Sequence, residues 1–161
     1  MANLELITSY YRYQQWANGR IFEAADNVPF ERLTVGVLSG FEPARSTLTH
    51  MMWAQWLWTH RFKGLPRVPD IDPATFADLA ALRDRWVGID AETNDFLATL
   101  TEDQLAAGMP GGDTAAMPLW RAMLHQANHQ TYHRGEVAAV LTHLGASPGE
   151  LDFNRMFDGR R

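Results

Sequence analysis

Residues 79–100, LAALRDRWVGIDAETNDFLATL, carry the pattern that decides the fold. Mostly apolar side chains recur there at alternating spacings of three and four residues, at Leu79, Leu82, Trp86, Ile89, Thr93, Phe96 and Leu100. This spacing places them along one side of an α-helix and is typical of the core-facing seam of a helical bundle. The sequence therefore predicts a long amphipathic helix, with Asp72 as its cap and Pro73 as its first residue.

Three further helices follow from the same periodicity. They are predicted over residues 4–25, 43–62 and 118–145, with Pro43 or Ser46 in the first turn of the second helix. The stretch before Phe41 is predicted to be a connection with one helical turn, and residues 104–118 a loop compatible with a short hairpin. We therefore predict an all-α fold over residues 1–161, a single domain built as an antiparallel four-helix bundle with long connections.

The composition limits the class of function. The 161 residues have a net charge of −5 and no cluster of Lys and Arg, so we expect no nucleic-acid partner, because such partners need cations against their phosphates. No secretory signal is visible and no apolar run approaches ~20 residues, so we expect no membrane span. The chain has no cysteine, which excludes disulfides and thiolate ligands and suits the cytoplasm. We therefore expect a cytoplasmic protein that acts on a small-molecule substrate.

All six histidines fall on the predicted second and fourth helices. On the fourth helix, His125, His129 and His133 are four residues apart, so neighbouring rings lie ~5–6 Å from each other on one side, close enough to share a metal ion. His125 and His133 are ~12 Å apart along the axis and cannot share one ion. The spacing therefore leaves two possible pairs, His125 with His129 or His129 with His133.

The predicted core-facing stripe of the fourth helix selects the second pair. Its members are Ala122, Gln126, His129, His133, Glu136 and Val140. His50 lies on the corresponding stripe of the second helix. Because buried polar groups need partners, this pattern predicts that His50, His129 and His133 bind one divalent metal ion. The alternative is that these histidines lie on a solvated face or hydrogen-bond across the core.

Three residues that follow the predicted ligand His133, namely Arg134, Gly135 and Glu136, add to the metal-site hypothesis. Glu136 is predicted on the same face as the ligands, as a general base or as an acceptor that orients a ligand imidazole. The alternative for Glu136 is an ion pair with an arginine of a neighbouring helix. Gly135 costs ~1 kcal/mol inside a helix, which predicts a close helix contact there. Arg134 is predicted to form a surface or subunit salt bridge, with an anionic substrate group as the alternative partner.

Two segments resemble a known family. Residues 128–136, NHQTYHRGE, resemble the end motif of the DinB/YfiT-like bundle metalloproteins, typically N-H-x-x-x-H-R-G-Q, and residues 47–53, TLTHMMW, resemble their second-helix motif. The similarity extends over nearly the whole chain. It implies a four-helix bundle with metal ligands at His50, His129 and His133, and makes a homodimer plausible. Glu136 departs from the usual glutamine.

Three neutral imidazoles leave a divalent ion its full charge and an open coordination position, as in catalytic sites. Such an ion lowers the pKa of bound water or holds a thiol as thiolate. The resemblance implies the thiol option, a low-molecular-weight-thiol-dependent S-transferase. The alternatives are a hydrolase that uses metal-bound hydroxide and a non-catalytic, damage-inducible metal-binding stress protein. Zinc or nickel is the expected ion, and iron or copper also suits three imidazoles.

Overall fold

The computed structural model describes residues 4–110 and 116–158. Over these ranges the regular secondary structure is helical, apart from an isolated β-bridge between Gly108 and Pro118. The helices are α1 (Leu4–Ala25), α2 (Phe30–Leu33), α3 (Ala44–Phe62), α4 (Leu79–Thr99), α5 (Glu102–Ala106) and α6 (Leu119–His143). No helix in the described ranges has a stretch long and apolar enough to cross a bilayer. The predicted all-α bundle is confirmed.

The four long helices form a square in which α1, α6, α3 and α4 are neighbours in that order. The hydroxyl of Tyr11 approaches the carbonyl of Met123, and further along both helices Asn18 meets Arg134, so α1 and α6 run in the same direction. Contacts between α3 and α4 likewise move toward the C-terminal ends of both helices together, so these two helices are also parallel. The pairs α3/α6 and α1/α4 are antiparallel. The connection 63–78 is long because it returns the chain along the bundle between the two parallel helices.

The third long helix, α4, begins later than its cap signal predicts. Asp72 caps only the 3-10 turn Pro73–Thr75. Phe76 then adopts an extended conformation, with a ψ of 113°, and packs its ring into the core. A second cap, Asp78, starts α4 at Leu79. The predicted helix start was wrong because a buried ring at position 76 requires a break that the Asp-Pro signal does not reveal.

The segment between α4 and α6 contains a short helix, α5, and one antiparallel backbone pairing. After α5, the amide of Met109 donates to the carbonyl of Met117 at 2.9 Å, beside the bridge between Gly108 and Pro118. This antiparallel pairing agrees with the predicted short hairpin. Residues 111–115, the middle of the predicted loop 104–118, lie outside the described residues.

The core face of α6 is rotated relative to the predicted stripe. Its buried members are Leu119, Ala122, Met123, Gln126, Ala127, Gln130, Arg134, Val137, Val140 and Leu141. His129, His133 and Glu136 lie beside this face, partly exposed, at the border with α3. Their predicted position inside the bundle was wrong, because α6 packs against both α1 and α3 and its buried face is wider than a single seam.

Arg134 lies in the core between α1 and α6, where only 1% of its surface is exposed. Its guanidinium donates to Oε1 of Gln14 at 2.7 Å and to Oδ1 of Asn18 at 3.0 Å, and it lies over the ring of Tyr13. The predicted surface salt bridge and its anionic-substrate alternative were both wrong. Gly135 is exposed, and an added Cβ there would meet no described atom within 4 Å, so the predicted close helix contact was wrong as well.

A second buried polar group joins α3 to α4. The amide oxygen of Gln55 accepts from Nε1 of Trp86 at 2.9 Å, and its nitrogen donates to Oδ1 of Asp90 at 2.7 Å. Burial raises the pKa of Asp90 to about 6, although the hydrogen bond from Gln55 lowers it. The ionised form of Asp90 is therefore costly in the folded protein.

We expect Asp90→Asn to raise the free energy of unfolding at pH 8 by about 1–2 kcal/mol, allowing for the solvent that still reaches the carboxyl. A folded-state pKa above the ordinary value of 3.8 means that the folded state holds this proton more tightly. Wild-type stability therefore falls as pH rises from below 3.8 through 6, whereas the variant escapes this loss. An asparagine oxygen still accepts from Gln55. Urea unfolding at pH 4 and pH 8 measures the difference, and an equal difference at both values would contradict the expectation.

Candidate metal centre

The three predicted ligands lie together at the border between α3 and α6. α3 positions His50, and α6 positions His129 and His133 one turn apart. Nε2 of His129 is 3.2 Å from Nε2 of His50 and 3.2 Å from Nε2 of His133. Each ring offers a nitrogen within 4.8 Å of the other two. The structure thus brings together a triad of histidines that could hold one metal ion.

The spacing of these nitrogens suits a shared cation. Three nitrogens held ~2.0–2.1 Å from a tetrahedral ion are about 3.3 Å from one another. A neutral imidazole nitrogen presents either one N–H or one lone pair in the plane of its ring. Nε2 of His129 can therefore hydrogen-bond to only one of the two nitrogens that face it. A cation between the rings would satisfy all three.

Glu136 sets the tautomer of His133. Its Oε2 lies 2.6 Å from Nδ1 of His133, which places the ring proton on Nδ1 and leaves the lone pair of Nε2 directed at the centre. Such a carboxylate contact is common behind metal-ligating histidines. Nδ1 of His129 is buried without a partner among the described residues, so this orienting contact serves one of the two α6 ligands.

Burial and the neighbouring rings keep His50 and His129 uncharged. Burial lowers the pKa of His129 to about 4, with smaller contributions from the facing His133 and His50 and from His125. Burial also lowers the pKa of His50, followed by His133, and Glu136 acts in the opposite direction. His50 and His129 are therefore neutral at pH 7, the form in which an imidazole binds a metal.

His125 stands apart from the triad although it lies one turn before His129. Its ring packs edge-on against Trp58, with the ring centroids 5.2 Å apart, and its centroid is 6.4 Å from that of His129. Of the two pairs that the spacing allowed, the structure joins His129 and His133 with His50.

A cleft of about 740 Å³ opens over the triad. Besides His50, His133 and Glu136 it is lined by Gly40, Phe41, Glu42, Ser46 and Thr47. These residues come from the connection before α3 and from its first turn. Their place in the site could not be predicted from the sequence, because a connection without a motif gives no signal of which side chains it brings to a site formed by α3 and α6.

Comparison with known proteins agrees with this architecture. The DinB family model matches residues 1–160 of the chain. The protein belongs to the DinB family. A relative, Protein DinB of Bacillus subtilis (strain 168), is 24% identical over 152 residues, which cover 89% of this chain and 88% of the relative. The resemblance based on segments 47–53 and 128–136 is confirmed.

In this DinB-family protein we expect Glu136→Ala to lower the affinity for Zn²⁺ by about 10–100-fold, because it frees the ring of His133 to turn. Glu136→Gln should change it much less, since an amide oxygen still accepts from Nδ1–H. Glutamine is also the residue that the family motif usually has there. Competition with a chromophoric chelator at pH 7 measures both affinities. An alanine variant that binds Zn²⁺ as tightly as the wild type would contradict the orienting role.

Proposed function

We propose that this DinB-family protein is a metal-dependent enzyme that binds one divalent ion on His50, His129 and His133 and acts on small molecules in the cleft above them. One observation carries the proposal: three Nε2 atoms, two of them each 3.2 Å from the third, converge where a cleft opens. Structural metal sites enclose the ion with four protein ligands, whereas three leave a position for a substrate.

The roles of the cleft residues follow from their contacts. A bound divalent ion supplies positive charge, which favours the deprotonated form of an oxygen or sulfur atom beside it. Glu136 already hydrogen-bonds His133, so we assign it the orienting role rather than that of general base. Glu42 is the other carboxylate that lines the cleft, and we propose it as the acceptor of a substrate proton.

Within this class we propose a transferase that uses a low-molecular-weight thiol. The thiol gives its proton to a base, its sulfur forms a bond to an electrophilic carbon, and the leaving group departs with its electron pair. The resemblance to thiol-using relatives supports this reaction. The chain has no cysteine, so the sulfur comes from a co-substrate.

The second candidate is a metal-dependent hydrolase. The polar wall of the cleft, with Ser46, Thr47 and two carboxylates, favours it because these groups can hold a water molecule beside His50 and His133. A third candidate, from another class, is a metal-binding stress protein without turnover, which needs only the triad.

Cobalt substitution tests the leading candidate. When glutathione or 2-mercaptoethanol is added to the Co²⁺-loaded protein, we expect a sulfur-to-cobalt charge-transfer band. His133→Ala should lose both the ion and the band, whereas His143→Ala, which changes an exposed histidine outside the triad, should retain them.

The other outcomes separate the candidates. Hydrolysis of a test ester without any thiol band would favour the hydrolase. A stoichiometric ion with neither thiol binding nor turnover would favour the stress protein. Failure of the wild-type chain to bind any divalent ion would overturn all three.

A further inference from the structure

A second cleft lies between α1 and α4, at the edge of the bundle opposite the metal centre. Its volume is about 300 Å³, and its lining includes Asn18, Gly19, Phe22, Trp86 and Asp90. This volume is at the lower end for small-molecule sites and has room for a molecule with one ring. None of these residues contributes to the histidine triad.

Two features of the helices keep this cleft open and give it a rigid aromatic wall. Gly19 lines the cleft, and a Cβ added there would meet no described atom within 4 Å apart from its chain neighbours and the backbone of its own helix, so α1 leaves open space at this position. Trp86 is 2% exposed, packs edge-on against Phe22 with centroids 5.7 Å apart, and is anchored by its hydrogen bond to Gln55. The cleft is therefore formed before any ligand enters.

Asp90 is a carboxyl of this cleft that lacks a cation. The arginine that lines the cleft, Arg83, is already bound to Asp26 at 2.7 Å. Asp90 accepts one hydrogen bond from Gln55 and forms no ion pair within the described residues. Its burial, which raises its pKa to about 6, shows that water solvates the carboxylate poorly. A ligand cation would supply the missing charge.

Asn18 provides an independent sign of an occupant. Only 5% of its surface is exposed, and Arg134 holds its Oδ1 at 3.0 Å, which fixes the orientation of the amide. Its Nδ2 is buried without a hydrogen-bond partner among the described residues, on a side chain that lines the cleft. A buried donor left unpaired is costly, and an ammonium group has no lone pair to accept from it, so a water or an acceptor atom of the ligand, in addition to its cation, would stabilise the site.

We propose that the α1–α4 cleft is a binding site for a small organic cation, an ammonium group carried on a single aromatic or apolar ring. The ammonium pairs with the oxygen of Asp90 that Gln55 does not hold. The ring lies against the apolar part of the cleft wall, which Phe22, Trp86 and Val87 line. The site is distinct from the metal centre in position, charge and ligand class.

A matched pair of probes tests this proposal. Benzylammonium and benzyl alcohol have the same ring and nearly the same shape but differ in charge. Each is titrated into the full chain at pH 7.5, and the shifts of the Trp86 indole and the Gly19 amide are followed by NMR. We expect saturable shifts with benzylammonium in the millimolar range and an affinity for benzyl alcohol lower by about tenfold or more.

Two variants make the test specific. Asp90→Asn, which we expect to fold at least as stably as the wild type, should remove the preference for the cation and leave weak binding of both probes. Gly19→Leu puts a side chain into the cleft and should abolish the binding of both, whereas Gly19→Ala adds only a methyl group and should weaken it less.

Three results would overturn the proposal. They are equal affinities of the wild type for the two probes, shifts confined to the histidine triad, and no saturable shift up to roughly 20 mM. Sedimentation adds a fourth: a wild-type dimer that Gly19→Leu dissociates would identify the occupant of the cleft as a second copy of the chain.

Discussion

Replacing His129 with alanine is expected to lower the affinity for Zn²⁺ by more than about 100-fold at pH 7. Removal of a group that only orients a ligand costs about 10–100-fold, and His129 is the ring whose Nε2 faces both other rings at 3.2 Å. Without it, His50 and His133 are left on different helices with no nitrogen between them. Elemental analysis after dialysis against a weak chelator should find about one ion per wild-type chain and almost none in the variant.

His125→Ala is the matched control for this prediction. It changes a histidine of the same helix one turn earlier, which packs against Trp58 and lies outside the triad. The control should keep its ion, and circular dichroism should show both variants folded. If His129→Ala retained the wild-type affinity, the assignment of the triad as the metal centre would be wrong.

Arg134→Met is expected to lower the free energy of unfolding by about 2–4 kcal/mol. Its guanidinium supplies hydrogen bonds to the buried amide oxygens of Gln14 and Asn18. Each oxygen left without a donor costs about 1–3 kcal/mol, and the loss of an unpaired buried charge offsets part of this cost. Methionine fills much of the volume, so the measured loss reports mainly on hydrogen bonds. Urea unfolding of the metal-free protein measures it.

The control for Arg134 lies on the same helix. Arg121 is exposed, and Arg121→Met should change stability by less than about 0.5 kcal/mol. Arg134→Lys should fall between the two, because one ammonium cannot reproduce the two-pronged geometry of the guanidinium. Equal stabilities of the Arg134→Met and Arg121→Met variants would show that the buried network contributes little.

The sequence predicts the long helices well because their ends are encoded locally. Periodic apolar positions predicted Leu4–Ala25 with the bounds that the structure has, and placed the ends of the other long helices within about two residues, apart from the start of α4. The start of α4 failed because burial of Phe76 is a tertiary requirement. Two caps, Asp72 and Asp78, were available, and local signals do not say which one begins the long helix.

The metal ligands could be predicted from the sequence, but the residues that surround them could not. Four-residue spacing and the family resemblance pointed to His50, His129 and His133. The same spacing could not show that α6 has a broad core face, which moves these rings to its edge. Nothing in the chain signals that Arg134 is buried among neutral amides, since an arginine is usually solvated or paired with an acid. The walls of the clefts depend on contacts between distant segments.

Because His133 and Arg134 are adjacent in the sequence, the packing of Arg134 fixes the orientation of the candidate ligands on α6. One side chain points to the cleft and the next into the core, so any turn of α6 about its axis that redirected the imidazoles would withdraw the guanidinium from Gln14 and Asn18. Packing in the core therefore holds the rings of His129 and His133 in one orientation. The connection that carries Phe41 and Glu42 forms the opposite wall of the cleft, and we expect this wall to be the part that adjusts to substrates of different size.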